Sequence, residues 1–374
     1  NGHTDAAINR VTHLINTHGS ELLIFGFARR FATYKRANLL FHDINRLATL
    51  LDQTDKPILF IFAGKAHPKD EPGQHLIHYI HEISTRPEFV GKIILIENYD
   101  MVLARRLVAG VDVWINTPEY QMEASGTSGQ KAGMNGVLNL SVLDGWWAEG
   151  FNQVNGWGIS PYGQQFDHEY RNQQESSELL DIIEHEVIPA YFSFNKSGYS
   201  EEWVTKAKES MKSIIPNYNS QRMLSDYIQK FYIPAKEKFS SISDASRAQT
   251  LSEWKAKIKH AWPGVKLRCI SDNLEHMMQG SALKITVAVL LNGLNSEDII
   301  VELILGTEAA DGSFQPCEAF NLNAIDNQIE GEQHYSLDVC PRATGLLQAR
   351  IRAYPCHEYL CHRFEMGFMI WLDE

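Results

Sequence analysis

The alternation of short apolar segments with helical segments is the feature that most restricts the fold of this chain. Apolar runs of strand length occur at Glu21–Phe27, Pro57–Ala63, Lys92–Glu97, Val111–Asn116 and Val137–Leu143. Apolar residues recur at helical spacing in Ala6–Thr17, Arg36–Leu51, His75–Thr85 and Met101–Ala109. Strands that alternate with helices build a doubly wound parallel sheet with right-handed crossovers. The sequence therefore predicts an α/β domain.

The sequence changes character near Pro263. Before it, helices are predicted at Ser176–Phe194, Glu201–Ile214 and Ser220–Phe239, followed by a polar helical connector at Ser240–Trp262. After it, strands of an antiparallel β-sandwich are predicted at Leu283–Leu291, Ile299–Leu305, Tyr335–Val339, Leu346–Tyr354 and Arg363–Leu372. We expect three parts, namely a doubly wound domain over residues 1–240, a connector over 241–262 and a β-sandwich over 263–374. Tyr354 and Trp371 occupy alternating positions, which favours a structural core over a sugar-binding surface.

The composition excludes several classes of protein. A formal net charge of −12 argues against nonspecific binding to nucleic acid, which requires a basic surface. Hydrophobic residues make up 44% of the chain, yet no apolar run approaches the ~18 residues that span a bilayer. No signal peptide opens the sequence. We therefore expect a soluble globular protein with neither a membrane nor a nucleic-acid partner, in which any anion is held by local cations.

The cysteines indicate a reducing compartment. There are five, an odd number without a regular framework, at Cys269, Cys317, Cys340, Cys356 and Cys361. We interpret them as reduced thiols of a cytoplasmic protein. Cys356 and Cys361, each followed by a histidine, suggest zinc, but a second pair of ligands is absent and the segment alternates like a strand. We predict no metal site.

A glycine-rich stretch lies within residues 119–150. Four glycines fall within eleven residues of it, at Gly126, Gly129, Gly133 and Gly136, interleaved with the hydroxyl residues Ser125, Thr127 and Ser128. Glycines let a backbone approach a ligand, and hydroxyl groups cap the first turn of a helix, so the pattern predicts an anion site at a helix amino terminus. Lys131 would either pair with a phosphate or form an imine with an aldehyde of the same ligand, as pyridoxal phosphate requires. A glycine-rich turn that leads into the strand Val137–Leu143 is the alternative.

A basic cluster follows the first predicted strand. It contains Arg29, Arg30, Lys35 and Arg36. Open α/β sheets bind ligands at the carboxyl ends of their strands, so these cations are candidates for an anion clamp. The alternative is the solvated start of a helix.

Three ordered motifs carry a family resemblance. They are RFATYKR at Arg30–Arg36, ENY at Glu97–Tyr99, and EASGTSGQKAGMNG followed by LDG in the glycine-rich stretch. Together they resemble the α-glucan phosphorylases, the glycogen, starch and maltodextrin phosphorylase family. Ala32 and Thr33, where a His-Glu pair is usual, point to its short, regulation-poor branch. The motif departs from the family in reading GTSGQK instead of GTGNMK.

The resemblance implies a role for each motif residue. It places Arg30 and Lys35 on the substrate phosphate, and Arg29 near the phosphate of a pyridoxal 5'-phosphate cofactor. Lys131 matches the lysine that binds this cofactor covalently. The remaining matches are Gly126, Thr127 and Ser128 around the cofactor phosphate, Tyr99 beside the cofactor ring, and Glu123, Ser125 and Gly126 at the glucose hydroxyls. Glu123 could instead cap the following helix, and Asp100 replaces a basic residue of longer relatives.

The resemblance also implies a function and its partners. The reaction would transfer a terminal glucosyl unit from an α-1,4-glucan to inorganic phosphate. The fold would be the C-terminal, Rossmann-like half of a GT-B glycosyltransferase followed by a β-sandwich. Because the chain begins at Asn1 and its first methionine is Met101, we expect a C-terminal fragment that is inactive alone. A homo-oligomer is a further expectation for the full-length protein. A nucleotide-sugar glycogen synthase and a non-catalytic glucan-binding module are the alternatives.

Overall fold

The computed structural model describes residues 5–53, 55–271, 282–309, 313–329, 331–343 and 345–372. The chain forms two compact units, residues 1–224 and residues 225–374. Each unit is described by itself. Among the described residues, no helix combines the length and apolarity needed to cross a lipid bilayer.

A six-stranded parallel sheet organises the described part of the first unit. Its strands are β1 Leu23–Ala28, β2 Ile58–Ala63, β3 Ile93–Ile96, β4 Val113–Asn116, β5 Leu138–Val142 and β6 Gly156–Ile159. They lie in the order β3-β2-β1-β4-β5-β6, so β1 pairs with both β2 and β4. The predicted parallel α/β sheet is confirmed. The sequence analysis missed β6, because a Gly-Trp-Gly-Ile strand has no continuous apolar run.

Helices lie before, between and after these strands in the chain. Their bounds are α1 Asp5–His18, α2 Ile44–Leu51, α3 Glu71–Ser84, α4 Met101–Gly110, α5 Thr127–Met134, α6 Trp146–Gly150, α7 His168–Ile182, α8 Ile188–Phe192, α9 Glu201–Asn217 and α10 Ser220–Tyr227. Asp43, Asp70, Asp100 and Asp167 cap α2, α3, α4 and α7 by accepting backbone N–H bonds of the first turn.

Several of these helices differ from the predicted bounds. Helix α3 begins at Glu71, four residues before the predicted start at His75. The predicted helix Arg36–Leu51 is interrupted, because Arg36 is left-handed at φ 44° and α2 begins only after its Asp43 cap. The predicted helix Ser176–Phe194 begins earlier, at His168, where Asp167 provides the cap. A π turn at Ile183–Val187 joins α7 to α8.

Hydrophobic side chains fill both faces of the sheet. On one face, Phe25 and Phe60 stack with ring centroids 4.6 Å apart, in a core that also takes residues from α2, α3, α7 and α8. On the other face, Trp114 packs with Leu107 of α4 and Ala132 of α5. Burial on both faces explains why β1 and β2 are continuous apolar runs.

The second unit begins with helices and continues with antiparallel sheets. A π turn at Ile228–Tyr232 continues α10 and is followed by α11 Ile233–Ile242 and α12 Ala245–Ala261. The strands are β7 Lys266–Cys269, β8 Leu283–Leu290, β9 Ile299–Glu308, β10 Phe314–Asn321, β11 Asn323–Ile329, β12 Glu332–Val339, β13 Gln348–Pro355 and β14 Ile370–Trp371. One sheet has the order β10-β9-β13-β14 and the other β11-β12-β8-β7.

Both sheets contribute to one core, as a β-sandwich requires. Val287 of β8 and Leu303 of β9 are fully buried within it. The predicted strand Arg363–Leu372 is wrong over most of its length, because turns that include Gly367 at φ 68° leave only Ile370–Trp371 extended. Tyr354 is buried as predicted, whereas Trp371 is 44% exposed and does not belong to the core.

Candidate active site

The candidate site lies between β1 and β4, where the order of the strands in the sheet reverses. The chain proceeds outward from β1 through β2 to β3 on one side, and from β4 through β5 to β6 on the other. Arg29 immediately follows β1, and Asn116 is the last residue of the adjacent strand β4. In open α/β sheets, ligands bind at the carboxyl ends of the strands at such a switch point.

A buried ion-pair cluster occupies this position. Glu123 Oε2 accepts hydrogen bonds from Arg29 Nη2 at 2.7 Å and from Lys35 Nζ at 3.0 Å. The three residues, here called the Glu123 cluster, are only 8–9% exposed. Two cations share one carboxylate, so the cluster carries a net charge of +1. It can therefore attract a further anion.

Asn116 fixes the guanidinium of Arg29. Its Oδ1 accepts a hydrogen bond from Arg29 Nη1, and its Nδ2 donates to Ser141 Oγ at 3.0 Å. Burial lowers the pKa of Arg29, and the charge of Glu123 opposes this change. Arg29 Nε is buried and has no hydrogen-bond partner. A buried donor without an acceptor is costly, which marks Arg29 Nε as a point where a ligand can bind.

The other members of the predicted basic cluster lie elsewhere. Arg30 is exposed, and its Nη2 donates to the Tyr34 hydroxyl at 3.4 Å. Arg36 is 4% exposed and forms an internal ion pair with Glu175 of α7, while its Nη2 also donates to the Pro118 carbonyl at 2.7 Å. Arg36 therefore joins α7 to the loop after β4, and its role is structural.

The loop before α5 depends on two glycines. Gly126 is the N-cap of α5 at φ 83°, with no side-chain cap. The predicted hydroxyl cap is therefore wrong, as is the alternative in which Glu123 caps this helix. Gly145 has φ 54°, and a Cβ there would lie 2.7 Å from the carbonyl oxygens of Glu123 and Ser125. Only glycine fits at this close approach.

The two glycines inside α5 serve helix packing. A Cβ at Gly129 would lie 2.5 Å from Asn139 Oδ1, and one at Gly133 would lie 2.3 Å from Ile214 Cδ1. Both distances are too short for a side chain. The sequence interpretation that these glycines let the backbone approach a ligand is therefore replaced by close packing of α5 against β5 and α9.

Lys131 lies on the exposed side of α5, in its last turn. Together with Thr127 it lines a cavity of about 680 Å³ whose wall includes Trp146 and Tyr218. Lys131 is thus not enclosed by hydrocarbon, and its amine is accessible.

Two further motif residues contact the sheet. Ser128 Oγ accepts a hydrogen bond from Trp114 Nε1 at 3.3 Å. The Tyr99 hydroxyl donates to the carbonyl oxygen of Ala28, the last residue of β1, at 3.3 Å. Burial raises the pKa of Tyr99, and the charge of Arg29 opposes the rise.

Two residues of the site escaped the sequence analysis. Asn116 holds Arg29, and Asp144 Oδ2 accepts the backbone N–H of Glu123 at 3.0 Å. Both are polar residues at the carboxyl end of a strand, β4 or β5. That position was the available signal. For metals, the described residues contain no group of three or more His, Cys, Asp or Glu side chains able to hold an ion.

The fold and the site define a class: an α/β protein with a buried cationic site at the switch point of its sheet. Residues 13–257 match the family described as carbohydrate phosphorylase, and residues 262–373 match the glycogen phosphorylase C-terminal domain. The chain belongs to the carbohydrate phosphorylase family. The resemblance carried by the three sequence motifs is confirmed.

Curated relatives agree with this assignment. The chain is 39% identical to a maltodextrin phosphorylase of Thermococcus litoralis over 368 residues, which cover 93% of this chain and 41% of that protein. It is 48% identical to a glycogen phosphorylase of Aquifex aeolicus over 213 residues, 57% of this chain and 30% of that protein. It is 32% identical to a glycogen phosphorylase of Mycobacterium bovis over 375 residues, 98% of this chain and 43% of that protein. The chain thus spans less than half the length of each relative.

Proposed function

We propose that this chain is the C-terminal part of an α-glucan phosphorylase, which transfers a terminal glucosyl unit of an α-1,4-glucan to inorganic phosphate and gives glucose 1-phosphate. The observation that carries the proposal is the buried Glu123 cluster at the switch point, formed by Lys35 of the RFATYKR motif, the preceding Arg29 and the glutamate of the glycine-rich motif. The matches to phosphorylases do not favour a nucleotide-sugar synthase or a non-catalytic module. We further propose that the doubly wound domain is one half of a GT-B enzyme. In this proposal the doubly wound domain ends at residue 240 and the β-sandwich begins at residue 263.

The residues present fit pyridoxal 5'-phosphate. Arg29 Nε is a buried donor that lacks an acceptor, α5 begins without a side-chain cap, and the amine of Lys131 is accessible. Lys131 would hold the cofactor covalently, while the backbone at Gly126, Thr127 and Ser128 would bind its phosphate. When bound, the cofactor supplies a phosphate group that can exchange a proton with the substrate phosphate. Tyr99 would lie beside the cofactor ring.

Cations in the site make it possible to hold two phosphates together. Two polyanions in contact repel each other unless nearby positive charges compensate. We assign Arg30, which is exposed, and Lys35 to the substrate phosphate, and Arg29 to the cofactor phosphate. Ser125 and Gly126 would contact the glucose hydroxyls together with Glu123. A cytoplasmic location stays a prediction from the cysteine pattern, and a homo-oligomer of the full-length protein also stays a prediction.

Covalent labelling of Lys131 tests the proposal. The chain is incubated with pyridoxal phosphate, reduced with borohydride and mapped by peptide mass spectrometry. We expect the pyridoxyl adduct on Lys131, its loss in Lys131→Arg, and its retention in the control Lys69→Arg, which changes another exposed lysine. Equal labelling of surface lysines without a preference for Lys131 would contradict the proposed cofactor site.

An activity measurement tests the incompleteness of the site. Because the chain spans only 30–43% of its relatives, we expect negligible release of glucose 1-phosphate from maltodextrin by the chain alone. A rate close to that of a full-length relative would show that the described residues suffice.

A further inference from the structure

The outer face of one sandwich sheet carries a row of charged and aromatic side chains. Glu302 of β9 lies opposite Arg352 of β13, and Arg352 lies opposite Trp371 of β14. The neighbours of Glu302 in β9, Val301 and Leu303, belong to the core, so the row faces away from the core. The sequence favoured a core position for Trp371, but its side chain is 44% exposed on this face.

Arg352 is held rigidly within this row. Its Nε donates to Glu302 Oε2 at 2.7 Å, and its Nη2 contacts the same oxygen. Its guanidinium carbon lies 4.9 Å from the ring centroid of Phe364, 5.4 Å from that of Trp371 and 5.6 Å from that of Tyr354. These contacts fix the guanidinium beside the exposed indole. They also leave the two N–H bonds of its Nη1 for a ligand.

A second arginine reaches the same carboxylate. Arg363, in the turns after β13, donates from Nη2 to Glu302 Oε2 at 3.3 Å and lies 4.5 Å from the ring centroid of Phe364. Its side chain is 49% exposed, whereas that of Glu302 is 4% exposed. The buried carboxylate thus compensates much of the positive charge. The exposed part of the group consists of guanidinium N–H donors next to an indole ring.

These four residues, Glu302, Arg352, Arg363 and Trp371, are here called the Trp371 cluster. A pyranose ring has an apolar C–H face that can pack on an indole, and hydroxyl groups at its rim that can accept hydrogen bonds from guanidinium groups. We propose that the Trp371 cluster binds α-1,4-glucan at a site separate from the candidate active site. The identity of the sugar rests on the proposed function, whose substrate is a polymer. A polymer can be retained by a site that contacts glucose units other than the reacting one.

Oxidation of tryptophan tests the proposal on the unaltered chain. Trp371 is the most exposed of the eight tryptophans, and N-bromosuccinimide oxidises accessible indoles. We expect peptide mass spectrometry to find Trp371 oxidised first. Maltoheptaose at about ten times its dissociation constant should slow this oxidation about tenfold, because the bound fraction is protected. Inorganic phosphate should not protect Trp371, since the cluster is proposed to bind hydroxyl groups and not a free anion.

Variants test whether the aromatic ring itself binds the glucan. Retardation in native gels that contain glycogen gives the dissociation constant of the full chain. We expect Trp371→Ala to raise this constant about tenfold and Trp371→Phe, which keeps an aromatic ring, to raise it less. The control Leu346→Ala removes a side chain that is 93% exposed in the same unit, and it should keep the wild-type value.

The outcomes separate this inference from the proposed function. If maltoheptaose left the oxidation of Trp371 unchanged, or if inorganic phosphate protected it equally, the inference would be wrong. Equal retardation of wild type and Trp371→Ala would also overturn it and would assign glycogen binding to another part of the chain. The proposed function is tested independently by pyridoxal labelling of Lys131, whose result does not depend on Trp371.

Discussion

Asp112 should make the stability of the first unit depend on pH in the sense opposite to an ordinary salt-bridged carboxylate. It precedes β4 at the amino end of the sheet, far in the fold from the carboxyl-end site, and its Oδ2 accepts the Ile24 N–H at 2.8 Å. Burial raises the pKa of Asp112 from 3.8 to about 6, and this hydrogen bond opposes the rise. The folded protein therefore binds the proton more tightly than the unfolded chain.

The sign and size follow from linkage. With a raised folded-state pKa, the stability contribution is fully present below pH 3.8 and is lost as the pH rises through about 6. A shift of about two pKa units, at ~1.4 kcal/mol each, corresponds to about 3 kcal/mol. Asp112→Asn keeps an acceptor for the Ile24 N–H but cannot ionise. Its stability relative to wild type should therefore increase by about 3 kcal/mol between about pH 4 and pH 7.

Urea denaturation of both proteins across this range measures the effect. Comparing the two proteins at each pH removes the contribution of all other titrating groups to the unfolding free energy. These groups include carboxylates whose pKa is lowered on folding. The surface variant Asp52→Asn, which leaves Asp112 in place, should reproduce the wild-type pH profile. A constant difference in unfolding free energy between wild type and Asp112→Asn would refute the reasoning.

Two further predictions concern packing and charge in the first unit. Gly133→Ala should lower the free energy of unfolding by about 1–3 kcal/mol, because a Cβ there would lie 2.3 Å from Cδ1 of the fully buried Ile214. The control Gly110→Ala, which has open space around its Cβ, should be neutral or slightly stabilising. Denaturant unfolding measures both variants. Arg36→Met should cost about 3–5 kcal/mol by leaving Glu175 buried and unpaired. The double variant Arg36→Met/Glu175→Gln should recover part of that loss, and no recovery would show that the buried charge is not the cause.

The sequence predicted the parts of the fold in which burial produces a recognisable local pattern of apolar residues. Strands β1 and β2 are buried on both faces and appear as apolar runs. Strand β10 is largely exposed, so its sequence mixes polar and apolar residues and was missed. Helix starts set by a single capping aspartate, as at Asp167, were displaced by several residues in the prediction.

Long-range partners in the site could not be predicted from spacing. The sequence groups Arg36 with the other candidate cations of an anion clamp, but Arg36 pairs with Glu175, 139 residues away, while Arg29 pairs with Glu123, 94 residues away. Only the three-dimensional structure distinguishes the cation with a structural role, Arg36, from those proposed to bind a ligand. The motif resemblance identified the region, and the contacts distinguish the residues within it.

The pairing of β1 with β4 has a consequence for folding. The cations follow one of these strands and their carboxylate follows the other, although the two strands are far apart in sequence. A partly folded chain in which these strands have not met cannot form the Glu123 cluster. A phosphate bound at the proposed site would therefore stabilise only the chain in which β1 and β4 are paired.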